Sequence, residues 1–140
     1  MWIAPISPHD LIQEHYPGDA YKILVCCLML NQTTRKQVDK IIDDFFEKYP
    51  TAHILSSANP IELQDLIQPL GMYRRRTNTL IRFAKEFLSN GWKNAKELYG
   101  CGKYAQDTYD IFITGRWENV KPNDHALNTY HDWLKERENA

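Results

Sequence analysis

The sequence has no surplus of positive charge. Its 17 Lys and Arg stand against 18 Asp and Glu, for a formal net charge of −1. That weighs against a nucleic-acid binder working through bulk charge, although a near-neutral total still permits a local basic face. Cysteine is scarce, at three residues. Cys26 and Cys27 are adjacent in an apolar run and Cys101 stands alone, so no spacing resembles a zinc or iron–sulfur ligand set. An odd number without a framework suits a reducing compartment. The longest apolar run, "ILVCCLML", is too short to cross a bilayer, and no signal-peptide pattern is present. Alternating strands, repeats, linkers and low-complexity tracts are also missing. These absences lead us to expect a soluble intracellular domain without a metal or a membrane partner, folded as one unit over residues 1–140.

The segments that are present read as helices. "GDAYKILVCCLMLNQ" offers Asp19 as a cap to a nearly all-apolar helix, which belongs in the centre of the fold. "TTRKQVDKIIDDFFEKYP" sets Val38, Ile41, Ile42, Phe45 and Phe46 at helical spacing, and Pro50 ends it. Asn59 and Pro60 start another helix, which Gly71 stops. "RRRTNTLIRFAKEFLSNG" is expected to bury Leu80, Ala84, Phe87 and Leu88 and to leave its arginines solvated. "NAKEL" gives a short helix, a further helix runs through Ile111 and Phe112 to Gly115, and the last places Leu127, Tyr130 and Leu134 on one face. The class is all-α, a compact bundle of short helices.

Between two of these helices lies "YGCGKY", with Gly100 and Gly102 bracketing one residue. Glycines at such a turn tolerate positive φ and close helix approach, which alone explains a tight αα-corner. Helical flanks on both sides make it a helix–hairpin–helix. Such a turn presents backbone N–H groups at a helix N-terminus, ready for an anion such as a DNA phosphate. Lys103 follows at once, with Lys93 and Lys96 upstream. A second constellation is "VKPNDHAL", where Asn123 or Asp124 caps the final helix. An aspartate there is held ionised by the helix dipole and amides. A fixed, dry carboxylate stabilises an oxocarbenium-like sugar and orients water toward it.

A helix–hairpin–helix turn followed about twenty residues later by an aspartate resembles the helix–hairpin–helix DNA glycosylase superfamily. The chain is most similar to the glycosylase domain of the methyl-CpG-binding mismatch glycosylases, which remove thymine or uracil opposite guanine. The resemblance is carried by "SPHDLIQE", "LMLNQTT", "FFEKYP", "LIQPLGMY", "WKNAKELYGCGKY" and "NDHALNTYHDWL", which span almost the whole chain.

The resemblance implies Asp124 as the catalytic aspartate. Tyr104 falls where bifunctional relatives place a Schiff-base lysine, which implies a monofunctional enzyme using water, with this tyrosine lining the pocket. Gln13 matches a side chain that reads the Watson–Crick edge of the flipped base, and Leu11 and Ile12 complete that wall. Without the resemblance, Gln13 looks like an ordinary surface residue. Gln32 matches the residue that fills the gap left in the duplex, where the mismatch glycosylases carry arginine. Met72 matches the wedge beside the orphaned guanine. Gly100, Gly102 and Lys103 are expected to hold DNA backbone, with Lys103 facing away from the pocket. Ala126 departs from a lysine in a relative, and Arg74, Arg75 and Arg76 suit either backbone affinity or a solvated face. The implied partner is duplex DNA with a G·T or G·U mispair, bound by a monomer in the nucleus with no cofactor. The rival readings are a non-catalytic helix–hairpin–helix DNA-binding module and a helical protein-interaction domain.

Overall fold

A computed structural model describes residues 1–140. Helix α1, Ala20–Leu30, is capped by Asp19, whose carboxylate accepts from the Lys22 amide at 3.0 Å. Every residue from Tyr21 to Met29 except Lys22 is buried, so this helix is the axis around which the others pack. Helix α2, Arg35–Lys48, opens with a reciprocal cap in which the Gln37 amide donates to Thr34 Oγ1 at 3.2 Å and the Thr34 amide to Gln37 Oε1 at 2.9 Å. Its five periodic apolar residues, Val38 to Phe46, are all buried.

A short helix not expected from the sequence follows. In α3, Ala52–Ser56, Thr51 caps and only Ala52 and Leu55 face inward, against the later helix over Tyr73–Phe87. Five residues contain too little of a helical period to announce themselves. Helix α4, Pro60–Ile67, is capped by Asn59 and tightens into a 3₁₀ turn at Gln68–Leu70 before Gly71, at φ 75°.

Helix α5, Tyr73–Phe87, buries Leu80, Phe83 and Ala84 as its spacing requires, with Phe87 partly buried. Two expectations are corrected here. Leu88 is 47% exposed, because the helix ends at Phe87 and Leu88 leaves the buried stripe. Arg76 is only 7% exposed, because it folds back and donates from Nε to the Gly71 carbonyl at 2.9 Å. Arg74 and Arg75 remain solvated.

After a single 3₁₀ turn, Ala95–Glu97, the hairpin leads into α6, Lys103–Tyr109, which runs on as a π-helical turn over Asp110–Thr114. The Ile111 carbonyl in that wider turn accepts from the Trp2 indole at 2.8 Å. Gly115 ends it at φ 78°, and a Cβ there would lie 2.7 Å from the Trp2 ring. Helix α7, His125–Glu138, buries Leu127, Tyr130 and Leu134 on one face.

The apolar interior forms two clusters. The larger is built mainly by α1 to α5, and the smaller gathers Leu11, Ile23, Ile111, Phe112, Trp117, Leu127, Tyr130 and Leu134. Helix α1 contributes to both, and Tyr16 and Tyr104 pack against both. A cavity opens at the seam between them.

Candidate active site

That cavity, of about 640 Å³, collects residues from four separate stretches of chain. Leu11, Ile12 and Gln13 come from the N-terminal segment, Gln32 from the turn after α1, Gly100, Gly102, Lys103 and Tyr104 from the hairpin, and Asp124 from the start of α7. Met72 lies instead in a neighbouring cavity of about 250 Å³, which shares Gln32 and Gly100 with the first. The residues expected at the site are therefore brought to two adjoining hollows on one side of the molecule.

Gln13 sits in a 3₁₀ turn, Ile12–His15, and is buried, contrary to its surface-like appearance in the sequence. The turn is pinned by Glu14, which accepts from the Leu11 amide at 2.7 Å and from Ser7 Oγ at 2.9 Å. Arg35 adds a second hold, donating to the carbonyl of Asp10 at 2.7 Å, where the chain turns at φ 52°. Gln13 Nε2 donates to Tyr104 Oη at 2.9 Å and to Thr108 Oγ1 at 3.4 Å. Its Oε1 accepts nothing from the chain, so the amide offers the cavity an acceptor.

Tyr104 is held as a neutral phenol, its pKa raised far above the usual range first by burial and then by Cys27 and Asp124 nearby. Because it accepts from Gln13, its own proton is free to be donated into the cavity. Thr108 lies one turn further along α6, on the same face as Tyr104. That spacing was the one signal for it in the sequence.

Asp124 caps α7, with Oδ2 accepting from the Leu127 amide at 3.0 Å. Oδ1 has no partner within the chain. The carboxylate is fixed but not dry, since Asp124 is exposed. Only a ligand laid over the cavity mouth excludes water from it.

The hairpin needs two corrections. Gly100 has φ +84°, and a Cβ there would lie 2.6 Å from Thr79 Cγ2 and 2.8 Å from Leu28 Cδ2. Gly102, in contrast, is extended at φ −115°, and a Cβ would meet nothing within 4 Å. Only the first glycine is demanded by the fold. The amides of Gly102, Lys103, Tyr104 and Ala105 donate to no group in the chain, as expected at an uncapped helix start. Lys103 does not swing away from the cavity. It lines the rim, and its Nζ donates to Asp107 Oδ2 at 2.6 Å and to the Lys121 carbonyl at 2.8 Å.

Gln32 and Met72 are both exposed, and both adopt left-handed backbone, at φ 60° and 44°. That conformation costs a residue with a Cβ roughly 1–2 kcal/mol, and it aims both side chains out of the surface. Among the described residues no group of His, Cys, Asp and Glu is arranged to hold a metal ion.

Known proteins are similar to this chain in sequence and in fold. A methyl-CpG-binding domain protein 4-like protein of Arabidopsis thaliana is 40% identical over 136 residues, covering 97% of this chain and 31% of the plant protein. A thymine/uracil-DNA glycosylase of Pyrobaculum aerophilum is 38% identical over 108 residues, covering 72% of this chain and 47% of its own length. The chain thus spans less than half of either relative. Among solved structures, a thermostable thymine-DNA glycosylase has the same fold, with a TM-score of 0.69 at 22% identity over 88% of this chain and 69% of that one. An endonuclease III in a non-covalent DNA complex scores 0.60 at 20% identity, covering 84% and 65% of the two chains. Residues 25–136 match the family model described as HhH-GPD superfamily base excision DNA repair protein. With that match running from α1 to the last turns of α7, through the hairpin and Asp124, the chain belongs to the HhH-GPD superfamily of base excision DNA repair proteins.

Proposed function

We propose that the chain is a monofunctional DNA glycosylase that removes thymine or uracil mispaired with guanine in duplex DNA. The observation that carries this reading is the meeting of Asp124, Tyr104 and Gln13 in one cavity, beside four unpaired hairpin amides. Gln13 Oε1 suits the N3–H of thymine or uracil, whereas cytosine presents an acceptor there. The Tyr104 hydroxyl proton suits a carbonyl oxygen of the same base. Wobble pairs cost less to unstack than matched pairs, which favours extrusion of the mispaired pyrimidine.

In the reaction the C1′–N1 bond breaks and its electron pair leaves with the base. Asp124, across the sugar, stabilises the cationic C1′ as charge develops and takes a proton from the attacking water. The base departs as its N1 anion and takes up a proton, Asp124 returns its own proton to solvent, and the products are the free base and an abasic sugar. Gln32 and Met72 occupy the space vacated in the stack, and the hairpin amides hold a backbone phosphate. A bare Gly102 fits that role, because nothing within the chain requires it. The full-length activity and the nuclear setting form part of this proposal.

The test is incubation with end-labelled duplexes holding a G·T, G·U or matched pair. Strand breakage at the mispair only after alkali, with no borohydride-trapped adduct, is the expected result. Duplex binding without excision would leave a non-catalytic DNA-binding module instead. A trapped adduct lost in Lys103→Ala would overturn the monofunctional mechanism.

A further inference from the structure

Asp124 acts from a loop, and the loop is held at consecutive carbonyls by two different helices. Asn128 of α7 donates from Nδ2 to the Pro122 carbonyl at 2.8 Å. Lys103 of α6 donates to the Lys121 carbonyl at 2.8 Å, and the Asp107 carboxylate, only 12% exposed, fixes the ammonium from behind at 2.6 Å. The Asp107 carboxylate has no other partner in the chain than Lys103. A carboxylate this enclosed is retained against its desolvation penalty only if the paired cation stays in place.

We infer that Lys103 is a positioning residue, the bridge of an Asp107–Lys103–Lys121 clamp that sets the distance between the Tyr104 face of α6 and the Asp124 carboxylate. The inference rests on the glycosylase reading for its kinetic consequence, but not for its structural one. Lys103 sits at the very start of α6, next to Tyr104, so the clamp ties the base-facing and sugar-facing halves of the cavity together at one point. Its two hydrogen bonds also explain why the side chain stays at the rim rather than reaching outward. An ammonium committed to a carboxylate and a carbonyl has no lone pair with which to attack a sugar. It thereby serves the monofunctional outcome while standing beside the position where an amine would change it.

The test compares Lys103→Met, Asp107→Asn, their double variant and Lys103→Arg, with folding checked by thermal melts. Hydrogen exchange of the amides around 118–124, read without DNA, is expected to quicken in both single variants and in the double variant to the same extent. Single-turnover excision is expected to fall about tenfold in each, because small misplacements of a reacting group have large kinetic effects. Duplex Kd should stay within about twofold, the double variant should be no slower than the singles, and Lys103→Arg should recover part of the rate. If Lys103→Met instead weakens duplex binding and lowers its salt slope by about one, while Asp107→Asn changes neither, Lys103 is a phosphate contact and the inference is wrong. Unchanged loop exchange in Lys103→Met would overturn it as well. If the wild-type protein excises nothing, the glycosylase reading fails while the exchange result still decides the clamp.

Discussion

The helix cap at Asp124 and its proposed catalytic role are separated by a single substitution. Asp124 Oδ2 caps α7 through the Leu127 amide, and Oδ1, unpaired within the chain, is the oxygen that the proposed reaction turns to the sugar. Asparagine keeps an acceptor for the amide but loses the negative charge. Asp124→Asn should therefore retain the melting temperature and duplex affinity while single-turnover excision falls by on the order of 10²-fold or more. An alanine at the same position should also lose about 1 kcal/mol of stability with the cap, which a paired melt would show. Excision by the asparagine variant at near wild-type rate would remove Asp124 from the mechanism. Gln13 shows what single residues conceal in a sequence. Nothing local distinguishes it, because its burial and its bond to Tyr104, 91 residues away, arise only when the N-terminal segment docks on α6. Only the family resemblance pointed to it.

At the scale of elements, the two hairpin glycines look alike in sequence and differ in kind. Gly100→Ala places a Cβ within 2.6 Å of Thr79 Cγ2 and forces a residue with a side chain to φ +84°. Overpacking and left-handed strain together should cost about 2–4 kcal/mol, seen as a clear drop in melting temperature. Gly102→Ala meets open space in the free protein, so its melt should be close to wild type. Its effect should appear only with DNA, as weaker binding to matched and mispaired duplex alike, since a phosphate contact carries no sequence information. Loss of mismatch preference with full non-specific affinity would contradict that role. Helices α1, α2, α4 and α7 were legible because each has a side-chain cap and enough length for its apolar period to repeat. Helix α3 was too short, and the burial of Arg76 depends on a carbonyl that its own helix does not contain. The geometry of Lys103 was misread for a related reason. A helical wheel places neighbours about 100° apart, but a flexible four-carbon side chain follows its partners.

For the molecule as a whole, burial of acidic groups sets an alkaline limit on stability. Burial pushes the Cys27 and Cys101 thiols up from 9.0 to about 12, and Tyr21 and Tyr130 are raised in the same direction by the same cause. The folded chain therefore keeps protons that the unfolded chain has already released. Stability from these groups is fully present below the unfolded thiol value and is lost as pH rises through the folded one. Urea midpoints should be flat from about pH 7 to 8.5 and fall steadily above about pH 9, with no comparable fall on the acid side from these groups. The seam between the two apolar clusters has a further consequence, for the order in which properties fail on heating. Leu11 belongs to the smaller cluster, Ile12, Cys27 and Leu28 to the larger, and all four line the same cavity. A cavity assembled across a joint is lost when the joint loosens, even while both halves keep their helices. Excision activity, followed against far-ultraviolet ellipticity on the same warming ramp, should accordingly decay several degrees before the helical signal. Under the proposed function, the working temperature would then be set by the adhesion of the two halves, and a new contact across the joint should extend that range more than further packing inside either half.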